Sequence, residues 1–238
     1  MPADLSLPIP QRPLPTTDTL TVALADESFV DIAAYSGGTI RVAMQYAADA
    51  LPGAVSKAYV RETVARKLME AKALLPDGYT FEILDAWRPY EVQLHLFSAY
   101  CERLRRLAPA ATEAEIVQKA REFVSFPDKS KTVSFVHSSG GAVDLTLVDA
   151  NGNRLPMGTA FDDFSAAAYT SHFERDGMDA EVRQNRRLLH HVMCACGFTN
   201  YPAEWWHYDY GDIFWSFYTG NPVLYPSQYD KEEVAADV

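Results

Sequence analysis

Two periodicities meet in Tyr79-Thr80-Phe81-Glu82-Ile83-Leu84-Asp85-Ala86-Trp87-Arg88-Pro89. Tyr79, Phe81 and Ile83 alternate with Thr80 and Glu82, the period of two that marks a strand with one buried face. Pro89 then stands where a helix begins, its missing N–H harmless at that first position, and Val92, Leu96, Tyr100 and Leu104 continue at helical spacing. Arg88 is therefore predicted at a strand-to-helix junction.

Upstream, Val60, Val64, Leu68, Ala71 and Leu75 recur three and four residues apart across 56–75, and Pro76-Asp77-Gly78 stops the pattern, so an amphipathic helix is predicted there. Downstream, Thr112 to Glu115 reads as a capping box opening a short helix whose one face is Ile116, Ala120, Phe123 and Val124. Between about residues 132 and 154 strands are expected, with Val143, Leu145 and Leu147 on one face and Asp144 and Thr146 on the other. Asn151-Gly152 is a hairpin signal, because both residues tolerate positive φ. A long helix is predicted over 179–196 with Val182, Leu189, Val192, Met193 and Cys196 inward, stopped by Gly197. The aromatic-rich stretch 198–225 is expected to add further strands. No repeat or linker divides the chain, so the fold class is α+β: a single domain with helices packed on a mainly antiparallel sheet.

The chain of 238 residues carries 21 basic and 32 acidic side chains, a net charge of -11. Gripping nucleic acid demands the opposite surplus, so no nucleic-acid partner is expected. No apolar run approaches the roughly 18 residues that span a bilayer, so no membrane partner is expected either. Three cysteines, Cys101, Cys194 and Cys196, are too few and odd for a disulfide framework, which fits a reducing compartment, and the C-x-C pair Cys194 and Cys196 is read as packing residues in preference to metal ligands. Five prolines in the first fifteen residues predict an extended arm over 1–20, followed by the main domain over 21–228 and an acidic tail over 229–238. The arm lacks the basic and apolar regions of a signal peptide, so cytoplasmic residence is expected. The oligomeric state stays open, a homo-oligomer included.

Two segments hold donors that suit a metal. In Ser134-Phe135-Val136-His137-Ser138-Ser139-Gly140-Gly141-Ala142-Val143-Asp144, two glycines allow a sharp bend that brings His137 and Asp144 together. An ordinary hairpin with a surface Asp and a half-buried His is the other reading. In Glu204-Trp205-Trp206-His207, histidine and glutamate three apart suit one centre in two roles, ligand and base, with the tryptophans keeping it partly dry. Here the other reading is an aromatic strand with Glu204 paired to an arginine.

Taken together, H-x6-D, then E-x-x-H about sixty residues on, with D-A-W-R-P upstream, resembles the zinc D-alanyl-D-alanine dipeptidases of the vancomycin-resistance type, whose superfamily includes wall carboxypeptidases and the hedgehog signalling domain. The likeness extends to Gly140 through Thr146, Met157-Gly158-Thr159, Phe161-Asp162 and Asn185 through Leu189. The resemblance implies a hedgehog/D,D-peptidase-like fold and one Zn2+ per chain held by His137, Asp144 and His207, with water in the open position. It implies Glu204 as the base that activates that water, Arg88 as the oxyanion donor, and Asp162 as the receiver of a dipeptide's amino terminus.

The chain departs from the family at Phe135, Val136 and Ser139, neighbours of the first histidine that are expected to shape the end of the pocket taking the substrate carboxylate, so strict D-Ala-D-Ala preference is the less secure part. Two other readings stand beside the dipeptidase: a D-Ala-D-Ala carboxypeptidase or endopeptidase acting on cell-wall peptides, and a non-catalytic zinc-bearing binding module. The remaining histidines, His95, His172, His190 and His191, have no partner at ligand spacing and are read as surface or core residues.

Overall fold

The computed structural model describes residues 4–16, 21–121, 124–131 and 134–236. Phe29–Asp31 (β1), Ile32–Tyr35 (α1), Arg41–Val42 (β2), Gln45–Ala48 (α2), Tyr59–Arg61 (β3) and Glu62–Lys72 (α3) lead into Thr80–Asp85 (β4) and Tyr90–Leu107 (α4). Glu113–Ala120 (α5), Ala142–Val148 (β5), Ala180–Ala195 (α6), Thr199–Asn200 (β6), His207–Asp209 (β7), Ile213–Thr219 (α7) and Lys231–Ala236 (α8) follow. The larger sheet has the order β2-β4-β5-β7-β6, antiparallel except for β2 beside β4, and β1 pairs with β3 in a separate ribbon. This is the α+β single domain expected.

Strand β5 runs through the middle of the sheet and every residue in it is buried. Its apolar face, Val143, Leu145 and Leu147, packs with Val64 and Leu68 of α3 and Leu189, Val192 and Met193 of α6. Fully burying such a side chain stabilises by about 1.5–3 kcal/mol, so this layer fixes the sheet and leaves the opposite face, with Asp144 on it, free for chemistry. The strand-to-helix junction forms as predicted, with Pro89 in extended conformation (ψ 149°) as the N-cap and Tyr90 as the first helical residue. The capping box is present: Thr112 accepts from the Glu115 N–H and the Glu115 carboxylate accepts from the Thr112 N–H. Phe123 and residues 132–133 lie outside the described residues.

Several expectations change. Val60 is not in the helix: it pairs with Val30 across the β1–β3 ribbon, and α3 starts only at Glu62, because backbone pairing of Tyr59–Arg61 overrides the helical spacing. His137 and its neighbours form a 3-10 turn, Val136–Ser139, rather than strand. At Asn151-Gly152 only Gly152 has positive φ, and the reversal is closed by the Asp149 carboxylate, which accepts from the N–H groups of Asn151 and Asn153. The stretch 198–225 adds only β6 and β7. Its remainder turns into α7, where Asp212 caps the N–H groups of Phe214 and Trp215 and Gly220 ends the helix at φ +73°. The early arm lies on the body: Arg187 donates to the Leu5 carbonyl, Ile9 is buried, and the Tyr218 hydroxyl donates to the Pro13 carbonyl at 2.8 Å. No helix among the described residues is long and apolar enough to cross a membrane.

Candidate metal and active site

Asp85, Asp144 and His207 occupy one rung of the sheet: Asp85 pairs with Asp144 across β4 and β5, and Asp144 with His207 across β5 and β7. Side chains directly opposite one another share a face, so strand register, together with a bulge between Ile83 and Asp85 that turns Asp85 away from the apolar face, gathers a carboxylate pair and an imidazole. His137 joins them from the 3-10 turn, whose position is fixed by glycine. A Cβ at Gly141 would fall 2.4 Å from the Tyr210 carbonyl, a contact no side chain survives, and Gly140 turns the chain at φ +73°. Arg88 N–H donates to the His137 carbonyl and ties the turn to the junction.

The ring nitrogens are sorted by their outer partners. His137 Nδ1 lies 2.8 Å from the Ala86 carbonyl and can only donate to it, which leaves Nε2 facing Asp144 Oδ2 at 3.4 Å. His207 Nε2 lies 2.7 Å from Asp209 Oδ1, and its Nδ1 lies 2.9 Å from Asp144 Oδ1. One donor atom from each of His137, Asp144 and His207 falls within 4.8 Å of the others, and all three residues are buried. Two imidazoles and a carboxylate with outer-sphere carbonyl and carboxylate partners suit a zinc-type cation. The donor set therefore fits the metal that the resemblance implies.

Glu204 Oε2 is 3.8 Å from His207 Nδ1, on the open side of the cluster. Burial pushes its carboxyl up to about 8, with the neighbouring Asp144 and Asp162 adding to this against His207. Burial would also raise Asp144, but His137 and His207 outweigh it and hold that carboxyl far below the usual range. For His207 burial disfavours the imidazolium, yet the carboxylates of Asp209 and Asp144 prevail and raise it well above an ordinary histidine. A buried excess of acceptors around two imidazoles is the electrostatic arrangement that a cation relieves.

Arg88 is buried rather than a surface arginine. Its Nε donates to Asp85 Oδ2 at 2.8 Å, its Nη1 to Gln93 Oε1 at 2.7 Å, and its Nη2 stands 3.6 Å from Asp144 Oδ2. The guanidinium also lies over the Tyr46 ring, 5.0 Å from its centroid. Tyr46 in turn donates its hydroxyl to Asp162 Oδ2 at 2.9 Å. Asp162 is a non-glycine residue at φ +59°, a conformation disfavoured for an L residue and adopted where the surroundings demand it. Burial pushes its carboxyl up to about 7.

All six residues singled out in the sequence, His137, Asp144, His207, Glu204, Arg88 and Asp162, line one cavity of about 610 Å³. Phe135 and Val136 line it too. Ser139 does not: its hydroxyl donates to the Val136 carbonyl and accepts from the Gly141 N–H, so it braces the turn instead of shaping the pocket. The two tryptophans are core residues, Trp206 against Phe161 and Trp205 donating to the Thr159 hydroxyl, and the apolar wall of the cavity is supplied instead by Tyr201 and Phe214. Asp209, Gln93 and Tyr46 were not singled out as site residues. Asp209 had a signal, since two residues past His207 in a strand is the same face. Tyr46 and Gln93 had none, because their approach depends on tertiary packing.

Comparison with known proteins identifies the family. A family model described as D-ala-D-ala dipeptidase matches residues 42–231. A D-alanyl-D-alanine dipeptidase of Enterococcus faecium is 42% identical over 152 residues, 61% of this chain and 69% of that protein. One from Synechocystis is 29% identical over 177 residues, 66% of this chain and 71% of that protein. Among solved structures, a vancomycin-resistance D,D-pentapeptidase VanY variant in complex with Zn(II) is 18% identical and covers 71% of this chain and 84% of its own, with a TM-score of 0.43, too low to bear on this chain. The family match spans most of the chain and includes every residue of the cluster, and the chain belongs to the D-ala-D-ala dipeptidase family of metallopeptidases.

Proposed function

We propose that the protein is a zinc-dependent, cytoplasmic D,D-dipeptidase that hydrolyses D-alanyl-D-alanine, or a closely related D,D-dipeptide, to free amino acids. The observation that carries the reading is the buried His137, Asp144 and His207 cluster with the Glu204 carboxylate beside its open side. A bound zinc ion supplies Lewis acidity at the scissile carbonyl and makes water a competent nucleophile near neutral pH. His137 Nε2, Asp144 and His207 Nδ1 are the atoms that would hold it.

The residues around that position divide the remaining work. Glu204 takes the proton of the attacking water on its carboxylate and returns it to the leaving amine nitrogen, and burial, which favours its neutral form, helps it hold that proton in transit. Arg88 stays a cation at any working pH, since the carboxylates of Asp85 and Asp144 oppose the burial that would discharge it, and its guanidinium donates to the oxygen on which negative charge develops. Gln93 and Asp85 keep that guanidinium from swinging away. Asp162 accepts from the substrate's amino nitrogen, oriented by the Tyr46 hydroxyl.

The test is a panel of D,D, L,D and L,L dialanines, with and without blocked amino termini, incubated with zinc-loaded protein while free alanine is followed. Release from the D,D form, slowed by blocking, is expected. No release from D-Ala-D-Ala would overturn the reading, as would undiminished activity in Glu204→Ala.

A further inference from the structure

The stretch Asn185 to Leu189 on α6 contains an arginine that the site described above does not use. Arg186 is buried, and among the described residues no carboxylate pairs with it. Burial pulls its guanidinium down to about 10, which still leaves a cation near neutral pH. Keeping a charge inside a protein is costly unless hydrogen bonds answer it, and here main-chain carbonyls do so. Nε donates to Met157, Nη1 to Tyr169 and Nη2 to Ala167, each at 2.8 Å. Phe173 covers the guanidinium with its ring centroid 4.7 Å away, and a Cβ on Gly158 would fall 2.5 Å from the same ring, so the start of the segment is pressed against this group.

The three carbonyls belong to the two ends of segment 157–170, and Asp162 stands midway between them. Apart from the 3-10 turn Ala166–Ala168 the segment has no regular structure, so no backbone ladder sets the span between its ends. The rigid fork of the guanidinium sets it instead. The segment is also docked on Trp205, whose Nε1 donates to Thr159 Oγ1 at 2.8 Å and whose main-chain N–H donates to the Ala168 carbonyl at 3.0 Å. Glu204, next in the chain, has holds of its own: Asn200 Nδ2 donates to its carbonyl at 3.0 Å, and its N–H donates to the Tyr201 carbonyl at 3.1 Å. Asp162 has the Tyr46 hydroxyl and the segment that carries it.

We propose that Arg186 is the positioning residue for the amino-terminus subsite: by clamping both ends of segment 157–170 against Trp205 it holds Asp162 where a dipeptide's free amino nitrogen falls when the peptide bond lies beside Glu204. The proposal rests on the dipeptidase reading above. In a dipeptide the amino nitrogen stands one residue from the bond that is cleaved, so the carboxylate that receives it must be fixed relative to the base. All the hydrogen bonds of Arg186 go to this segment, and loosening them displaces Asp162 while the cluster of His137, Asp144 and His207 stays in place.

The experiment follows D-alanine release from D-Ala-D-Ala by the zinc-loaded protein, with kcat and KM read separately and zinc content measured. Arg186→Lys keeps the charge but offers a single point in place of a fork. It is expected to raise KM about 10–100-fold, the scale of a misplacement of about 1 Å, with a smaller change in kcat and zinc retained. In an Asp162→Asn background, where the amino-terminus contact is already lost, Arg186→Lys should raise KM by less than about twofold more. Thr159→Val removes only the hydroxyl that accepts from Trp205, should raise KM in the same direction, and decides the matter if Arg186→Lys does not fold. A merely structural role would leave KM unchanged while kcat or zinc content falls, or would act equally with and without Asp162. Either result overturns the clamp and leaves the dipeptidase reading intact, as does an unchanged KM in Thr159→Val when Arg186→Lys does not fold. No release from D-Ala-D-Ala by the parent protein overturns the dipeptidase reading and the clamp with it.

Discussion

Asp209 holds His207 from behind, its Oδ1 2.7 Å from Nε2, so that Nδ1 is the nitrogen turned towards Asp144 and His137. A carboxylate in this place fixes the tautomer and makes the imidazole a better donor. Asp209→Asn is therefore expected to weaken zinc affinity by about 10–100-fold while leaving the fold in place. Competition against a metallochromic chelator, with circular dichroism as the check on folding, measures this. Unchanged affinity would remove Asp209 from the centre.

Glu204 and the three donor residues should separate cleanly. Glu204→Gln is expected to lower kcat by about 10²–10⁴ with the metal retained, whereas His137→Ala or Asp144→Asn should lose both. Metal content by atomic emission beside steady-state kinetics distinguishes the two classes. Loss of metal in Glu204→Gln would show that this carboxylate is a ligand and not the base.

The roles proposed for Arg88 in stability and in catalysis rest on different partners. Arg88→Ala leaves the buried Asp85 without its ion pair, and breaking a buried pair from one side costs about 3–5 kcal/mol. Adding Asp85→Asn should recover a large part of that loss in urea denaturation. Activity should not recover, because the proposed oxyanion donor is still missing, a loss of about 10²–10³ in kcat. Recovery of activity in the double variant would contradict the assignment.

Asp162 gives a pH dependence of definite sign. Its carboxyl is raised from 3.8 to about 7, chiefly by burial, so the folded chain binds this proton more tightly than the unfolded one. Its contribution therefore favours folding at low pH and declines as pH rises from about 4 to about 7. Asp162→Asn, whose amide tolerates φ +59°, should be more stable than the parent at pH 8 and converge with it below pH 4, while turning over free dipeptides more slowly. Denaturation midpoints across pH 4–8 without added metal provide the measurement, and parallel profiles would refute it.

How much of this could be read from residues alone varies with the physical cause. The β4–α4 junction was legible because two periodicities abut at Arg88, and α6 because a run of helical spacing ends on Gly197. Helix α7 was not, since Ile213-Phe214-Trp215 is apolar on every side and carries no period. The Asp212 cap and Gly220 were its signals. The cluster of His137, Asp144 and His207 was legible as a motif, yet what keeps these residues in place was not. Tyr46 reaches Asp162 across 116 residues, and no local pattern encodes that approach. Ser139 shows the same limit in reverse: its proximity to His137 in sequence suggested a pocket role, and its hydroxyl is spent on the turn.

The shared rung of Asp85, Asp144 and His207 has a consequence for how such a site can change over generations. Because Asp144 and His207 are placed by regular pairing across strands, and Asp85 by the bulge before it, a single-residue insertion or deletion within β5 or β7, or loss of the bulge in β4, turns a side chain to the apolar face and dismantles the centre in one event. Point substitutions on α4 and in the loop around Asp162 leave the rung untouched. Lineages of this fold can therefore trade one substrate for another residue by residue along the cavity, while the chemistry itself is inherited whole or lost.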